Sequence, residues 1–105
     1  NNYVHNNGNA KAPYTVWAHI PLGTGILVAG GDKDWVVNNR VENNPDYGIL
    51  VLGNIDQNFW IASGNVVERN KVKGSGIADL ALGAPTGANN CFSDNQATTT
   101  LPPLL

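Results

Sequence analysis

The chain has 105 residues, a formal charge of −2 and 42% apolar residues. This length limits it to one domain with a modest core, and the slightly acidic charge argues against nucleic acid as a partner. No stretch approaches the ~20 apolar residues that span a bilayer, so we expect no membrane span.

A short Asn-led motif recurs along the chain. In chain order it reads NYVHN from Asn2, NRVEN from Asn39, NKVKG from Asn70 and NQATT from Asn95. Frequent Asn and Gly interrupt any helix, whereas alternating apolar residues favour short strands. Near-identical segments at about one-coil spacing are expected to stack in register. We therefore predict an all-β fold, a parallel β-helix of about three to four coils.

The alternation of side chains along a strand predicts which residues stack in columns. One column points inward and consists of Val4, Val41, Val72 and Ala97. Two columns point outward: one contains Tyr3, Arg40, Lys71 and Gln96, and the other contains His5, Glu42, Lys73 and Thr98. In this register Glu42 lies directly above Lys73, an exposed pair that contributes little to stability.

The leading Asn of each motif is predicted to lie at an equivalent bend. An Asn side chain permits a tight turn and hydrogen-bonds the backbone of its own or a neighbouring coil, which produces a ladder. The predicted ladder consists of Asn2, Asn39, Asn70 and Asn95. A second bend is expected at Asn6, Asn43, Gly74 and Thr99.

A Gly-led apolar run follows the motif in three places: GILVAG from Gly25, GILVLG from Gly48 and GIADLALG from Gly76. Their uneven spacing predicts loop insertions at about residues 9–22 and 55–60. This alignment places Asp79 opposite Val28 and Val51, inside the core. Because an unpaired buried charge is costly, a local bulge that turns Ala78, Leu80 and Leu82 inward is favoured over a functional buried carboxylate.

Together, Asn-x-Val-x-x-Asn and Gly-Ile-x-Leu resemble the right-handed parallel β-helix repeats of the pectate-lyase-like superfamily, over nearly the whole chain. The segment GAPTGANNCFSDNQATTTLPP from Gly83 resembles the terminal coil of secreted bacterial β-helix proteins. The resemblance implies a right-handed coil and a secreted or cell-surface location. Paired-Asp, Gly-His-Gly and Arg-Ile-Lys signatures of polygalacturonases are absent, so hydrolysis of that type is not expected. The sequence has no Met, and we expect a processed product or a fragment.

For catalysis, the resemblance implies calcium-binding carboxylates and an Arg or Lys base on an outward face. Arg40, Lys71 and Lys73, with Arg69, match such a basic strip, although a solvated face of mixed charges is the favoured interpretation. Asp32 and Asp34 in GGDKD could share a Ca²⁺ ion, but a turn between coils is favoured because the motif occurs once.

Aromatic side chains stack on sugar rings as well as in cores. Tyr14 and Trp17, in a polar insertion, are the predicted carbohydrate-binding residues, whereas Trp35 and Trp60 are expected to pack in the core beneath loops. Cys91 has no neighbouring His or second Cys and is expected to be buried as a small hydrophobic residue.

The leading functional hypothesis is an extracellular β-helix scaffold or carbohydrate-binding module, with a polysaccharide or other glycan as partner and no cofactor. The alternative is a calcium-assisted uronate lyase or epimerase that uses Arg40, Lys71 and Lys73. A third hypothesis is a structural subunit that stacks end to end, because a short solenoid leaves strand edges open at both ends.

Overall fold

The structure of the protein, a computed structural model, describes residues 1–8, 21–54, 60–103 and 105. The described residues form short strands and no helix. The strands are β1 (Tyr3–His5), β2 (Ile26–Ala29), β3 (Trp35–Val37), β4 (Arg40–Glu42), β5 (Tyr47–Leu52), β6 (Val66–Glu68), β7 (Lys71–Lys73), β8 (Ala78–Leu82), β9 (Cys91–Ser93) and β10 (Thr100–Leu101). The two predicted insertions fall largely on residues 9–20 and 55–59, which lie outside the described residues.

The strands form three parallel sheets that run the length of a coil stack. The first sheet has the order β1–β4–β7, the second β10–β8–β5–β2 and the third β3–β6–β9. Each coil contributes one strand to each sheet before the chain passes to the next coil, which gives three full coils and part of a fourth. The predicted parallel β-helix is therefore confirmed.

The register of the first sheet follows the Asn-led motif. Val4 pairs with Val41, and Val41 pairs with Val72. An isolated parallel bridge from Lys71 to Gln96 extends this register into the fourth coil. The inward Val column and both outward columns are therefore arranged as the alternation of side chains predicted. Val41 and Val72 are almost completely buried.

Asp79 is not opposite Val28 and Val51, because the alignment of the third Gly-led run was wrong. Pairing in the second sheet is Ile49 with Leu80 and Val51 with Leu82, which places Asp79 level with Gly48. The register is continuous, so no bulge is needed to turn Leu80 and Leu82 inward. Asp79 is nonetheless 1% exposed, and its carboxylate accepts hydrogen bonds from the backbone N–H groups of Ser75, Thr98 and Thr99, at 3.2, 3.0 and 3.3 Å.

The core is a stack of aliphatic side chains from all three sheets. It contains Val28, Val36, Val41, Ile49, Val51, Ala62, Val67, Val72 and Leu80, and Leu105 packs against it. Full burial of one Val, Leu or Ile side chain contributes about 1.5–3 kcal/mol. The core therefore supplies the main stabilisation, and the ladders at the bends supply the register.

Three residues expected in the core are exposed instead. Trp35 is 71% exposed and Trp60 is 55% exposed, while Cys91 is also exposed. Val36 is buried in β3, and the alternation of side chains therefore turns its neighbour Trp35 to the outer face. Cys91 pairs with Val66 in the same sheet and has the same outward orientation.

Each coil turns at bends that share one construction: a residue with positive φ, which is followed by a ladder residue at every bend except that of Gly74. At the first bend the positive-φ residues are Asn38, Arg69 and Asp94, at the second Asn6, Asn43 and Gly74, and at the third Lys33, Gly64 and Asn89. Their φ values lie between 52° and 72°, a conformation that Asn, Asp and Gly tolerate best. Thr99, which was predicted at the second bend, does not have a positive φ.

The first-bend ladder runs through Asn2, Asn39, Asn70 and Asn95. The Oδ1 atoms of Asn39, Asn70 and Asn95 each accept hydrogen bonds from the backbone N–H and the Nδ2 group of the Asn one coil earlier. At the second bend Asn44 accepts the same pair from Asn7, both at 3.0 Å. A third ladder, absent from the sequence-based expectations, joins Asp34, Asn65 and Asn90.

Candidate functional site

The outer face of the first sheet carries a groove of about 580 Å³. Residues from three successive coils line it, and each coil presents two outward side chains of the first sheet. The lining residues are Arg40, Glu42, Lys71, Val72, Lys73, Gln96, Ala97 and Thr98. We call this the first-sheet groove. It brings together Arg40, Lys71 and Lys73, the three cations that the sequence singled out.

Glu42 is the carboxylate around which the groove is organised. Tyr3 Oη donates to Glu42 Oε2 at 3.1 Å, and Arg40 Nε donates to Glu42 Oε1 at 2.7 Å. Lys73 Nζ lies 3.5 Å from the same Oε1 atom. Both carboxylate oxygens are therefore engaged, and the residue is only 7% exposed. The position of Glu42 above Lys73 is predicted by the sequence, whereas its contacts with Tyr3 and Arg40 are not.

These contacts hold Glu42 in its ionised form. The hydrogen bond from Arg40 lowers the pKa of Glu42 despite the opposing effect of desolvation, and the Tyr3 hydroxyl and the charges of Arg40 and Lys73 lower it further. The same hydrogen bond raises the pKa of Arg40 above its already high ordinary value. At neutral pH the pair is therefore fully charged.

Tyr3 gives the groove an aromatic border. The Arg40 guanidinium carbon lies 4.7 Å from the centre of the Tyr3 ring, a cation–π distance. The Tyr3 and His5 rings stack with their centres 4.4 Å apart. Tyr3 is 54% exposed, and its hydroxyl group fixes Glu42.

Lys71 differs from the other two cations. It stands in register with Arg40 on the neighbouring strand and is exposed. Among the described residues, no carboxylate lies within salt-bridge distance of Lys71, whereas Arg40 and Lys73 both pair with Glu42. Arg69, which was grouped with this strip, pairs instead with Glu68 of the third sheet. Lys71 is thus the cation of the groove that can accept a new anionic partner.

Asp32 and Asp34 lie at the third bend rather than in the groove. Asp32 is exposed and forms a parallel bridge with Ser63. The Asp34 backbone N–H donates to Asn65 Oδ1 at 2.9 Å, so Asp34 begins the third ladder. Across the ranges that the structure describes, no three His, Cys, Asp or Glu side chains gather where they could share a metal ion. The calcium site at this pair stays a prediction.

The predicted carbohydrate-binding residues Tyr14 and Trp17 lie outside the described residues. Within the described ranges, the exposed aromatic side chains are Tyr3, Trp35 and Trp60. Tyr3 borders the groove. The outward column predicted from the sequence places Tyr3 next to Arg40, which is the signal for its position at the groove.

Comparison with known families identifies one match. The model of the right-handed β-helix region matches residues 1–100. No curated protein and no solved structure matches the chain. In the part of the chain described above, no helix is long and apolar enough to cross a membrane. The stacked parallel sheets, the ladders at their bends and the match over nearly the whole sequence agree, and the chain belongs to the right-handed β-helix family.

Proposed function

We propose that this β-helix is an extracellular glycan-binding scaffold that holds an acidic glycan in the first-sheet groove. The observation that carries the proposal is Lys71, an exposed cation in a groove of about 580 Å³ with no carboxylate partner among the described residues. An extended groove across several coils suits a chain-like ligand better than a compact one.

The charge of the groove supports an anionic ligand. Arg40, Lys71 and Lys73 bring three positive charges and Glu42 one negative charge, so the groove carries a net +2 within a chain of net −2. Arg and Lys side chains form charge-assisted hydrogen bonds with carboxylates. This local excess favours binding of an acidic polymer to the groove over the rest of the surface.

The uncharged residues of the groove suit sugar hydroxyl groups. Gln96 and Thr98 follow Lys71 and Lys73 in the outward columns and line the groove beside them. Their amide and hydroxyl groups both donate and accept hydrogen bonds.

The groove does not fit the calcium ion that a uronate lyase would require. Glu42 is the carboxylate among its lining residues, and both of its oxygens already accept hydrogen bonds from Tyr3 and Arg40. Calcium takes six to eight oxygen ligands. We therefore propose binding without calcium-assisted elimination.

The test is calorimetric titration of the protein with an acidic glycan and with a neutral glycan of equal length. Saturable binding of the acidic glycan is expected, with affinity that falls as NaCl is raised. Lys71→Gln should weaken this binding about two- to fivefold, the effect of losing one exposed charge interaction. Lys33→Gln, at an exposed bend residue outside the groove, is the matched control.

Equal binding of the neutral glycan, or unchanged binding by Lys71→Gln, would contradict the proposal. The same mixtures are monitored by ultraviolet absorbance for unsaturated sugar, with and without calcium. Formation of that product, lost in Lys71→Gln, would establish the lyase instead.

A further inference from the structure

The second bend carries a chemically reactive pair of residues in its first coil. Asn7 is followed there by Gly8, which is the one Asn-Gly pair in the sequence, and both residues are exposed. Asn is a thermolabile residue, because a backbone nitrogen can attack its side-chain carbonyl carbon. A glycine in the next position has no side chain to hinder this attack. Asn7 is therefore the Asn at which the reaction meets the least steric hindrance.

The fold requires both members of this pair. The backbone N–H and the Nδ2 group of Asn7 both donate to Asn44 Oδ1 at 3.0 Å, so the second ladder needs an Asn here. Gly8 has a φ of 101°, and a Cβ atom at this position would lie 2.9 Å from Gly23 Cα and 3.1 Å from Pro45 Cγ. The ladder thus selects Asn, and the close contact selects Gly.

The same bend lacks this reactive pair in the next two coils. Asn44 takes the place of Asn7 in the second coil, but Pro45 follows it. The nitrogen of proline carries no hydrogen and cannot serve as the attacking group. In the third coil the residue after the positive-φ Gly74 is Ser75, which has no side-chain amide. The reactivity at this bend is therefore confined to the first coil.

We propose that Asn7 is a site of spontaneous deamidation and that its conversion breaks the second ladder. The Gly8 nitrogen forms a bond with Asn7 Cγ, and the bond from Cγ to Nδ2 breaks. Ammonia leaves and carries the Gly8 amide hydrogen with it, and a succinimide ring remains. Water then opens the ring to an aspartate or, when the other ring carbonyl is attacked, to an isoaspartate. This inference does not depend on glycan binding.

Conversion removes a donor that the ladder needs. A carboxylate only accepts hydrogen bonds, so it opposes Asn44 Oδ1 where the Nδ2 group of Asn7 had donated. The Nδ2 group of Asn44 is buried and has no hydrogen-bond partner among the described residues. Rotation of the Asn44 amide would offer this group to the new carboxylate, but the backbone N–H at position 7 would then lose its acceptor. One ladder bond is lost in either arrangement.

The lost bond lies directly beside β1. The Asn6 backbone N–H donates to Glu42 O at 3.2 Å, and the Tyr3 hydroxyl donates to Glu42 Oε2 at 3.1 Å. Local opening becomes more frequent where a structural hydrogen bond is removed. We therefore expect deamidation of Asn7 to loosen β1 and its contacts with Glu42.

The first experiment follows deamidation in the folded chain. The protein is incubated at mildly alkaline pH and digested, and tandem mass spectrometry measures conversion at each Asn. Asn7 should convert at least about tenfold faster than Asn39 and Asn70, because those two are buried and must first leave the core. They are also followed by Arg40 and Lys71 instead of glycine. Equal rates at the three positions would overturn the site.

The same incubation in urea is the control for the effect of folding. If Asn7 converts in urea but stays intact in the folded chain, the ladder protects it and the proposal is overturned.

The second experiment tests the consequence for β1. Asn7→Asp introduces the carboxylate directly, and Asn6→Asp introduces the same charge at the neighbouring exposed residue, whose side chain is outside the ladder. The hydrogen-exchange protection factor of the N–H at position 6 should fall about fivefold in Asn7→Asp, the effect of one lost hydrogen bond. Asn6→Asp should leave it unchanged. Circular dichroism establishes that both variants are folded, and equal protection in the two would overturn the effect on the ladder.

Discussion

Asn39 donates two hydrogen bonds to one atom of Asn70. Its backbone N–H and its Nδ2 group both reach Asn70 Oδ1, at 2.9 and 3.0 Å. Asn70 repeats the arrangement with Asn95 at 2.9 and 3.0 Å, and its Nδ2 group also donates to Val36 O at 2.8 Å. A single buried side chain thus joins three successive coils.

Replacement of this side chain is predicted to be costly. Asn70→Ala leaves the N–H of Asn39 and the carbonyl of Val36 without their partners in a fully buried place. We expect a loss of about 3 kcal/mol in the free energy of unfolding, measured by urea denaturation. Gln96→Ala, at the exposed residue next to the ladder, should change it by less than about 0.5 kcal/mol. Equal effects of the two changes would show that the ladder contributes little.

Replacement of Gly48 by any residue with a side chain is predicted to destabilise the protein. A Cβ atom at this position would lie 2.2 Å from Val72 Cγ1 and 2.6 Å from the Asp79 carbonyl oxygen. Gly48→Ala should therefore destabilise the protein by about 1–3 kcal/mol through overpacking. Gly83→Ala is the control, because there the nearest atom is Leu52 Cβ at 3.2 Å. Thermal unfolding of both variants tests the difference, and a Gly48→Ala variant as stable as Gly83→Ala would contradict it.

Asp79 is predicted to anchor the start of the fourth coil. Its carboxylate accepts hydrogen bonds from the N–H groups of Thr98 and Thr99, just before β10. Asp79→Ala should cost about 1–2 kcal/mol, since it leaves part-buried N–H donors without their acceptor, and should accelerate hydrogen exchange at these two amides. Asp32→Ala, at an exposed carboxylate, should do neither. Unchanged exchange at Thr98 and Thr99 would show that the segment is held by other contacts.

The lowered pKa of Glu42 predicts a dependence of stability on pH. Between the lowered pKa of the folded state and the ordinary value of about 4.3, the unfolded chain binds the extra proton, so stability falls as the pH is lowered. The advantage of the original chain over Glu42→Gln should be complete above about pH 4.3 and disappear as the pH falls through the folded-state pKa. Unfolding midpoints across this range measure it.

A suitable control for this titration is Glu68→Gln, which removes a carboxylate outside the groove. If the difference in stability between the original chain and Glu42→Gln stays constant down to the lowest pH measured, Glu42 contributes by packing and not by its charge.

The coil and its first ladder could be predicted because they depend on short local patterns. Asn followed two residues later by Val is sufficient to locate a bend and the inward side chain after it. The offset of 31 residues between Asn39 and Asn70 also applies to Gly48 and Asp79. Gly76 and Ile77 repeat the Gly-Ile pair that begins the two earlier apolar runs. Aligning these pairs with one another gives the wrong register and therefore misplaces Asp79.

The third ladder had a usable signal that was not applied. Asp34, Asn65 and Asn90 each precede an inward residue by two positions, namely Val36, Val67 and Phe92. The prediction that Trp35 packs in the core beneath a loop overlooked its position next to Val36, which predicts the outer face. The contacts of Glu42 with Tyr3 and Arg40 could not be predicted, since they depend on side-chain conformations that no residue pattern specifies.

Successive steps of the first ladder span 37, 31 and 25 residues, yet the hydrogen bonds at each step are the same. The ladder therefore forms in the same way whatever the number of residues between successive bends. New segments can be inserted into a coil, or existing ones shortened, without disturbing the neighbouring coils, provided that the Asn and its inward neighbour are kept. A coil built in this way allows the surface loops to vary in length and sequence while the β-helix itself is unchanged.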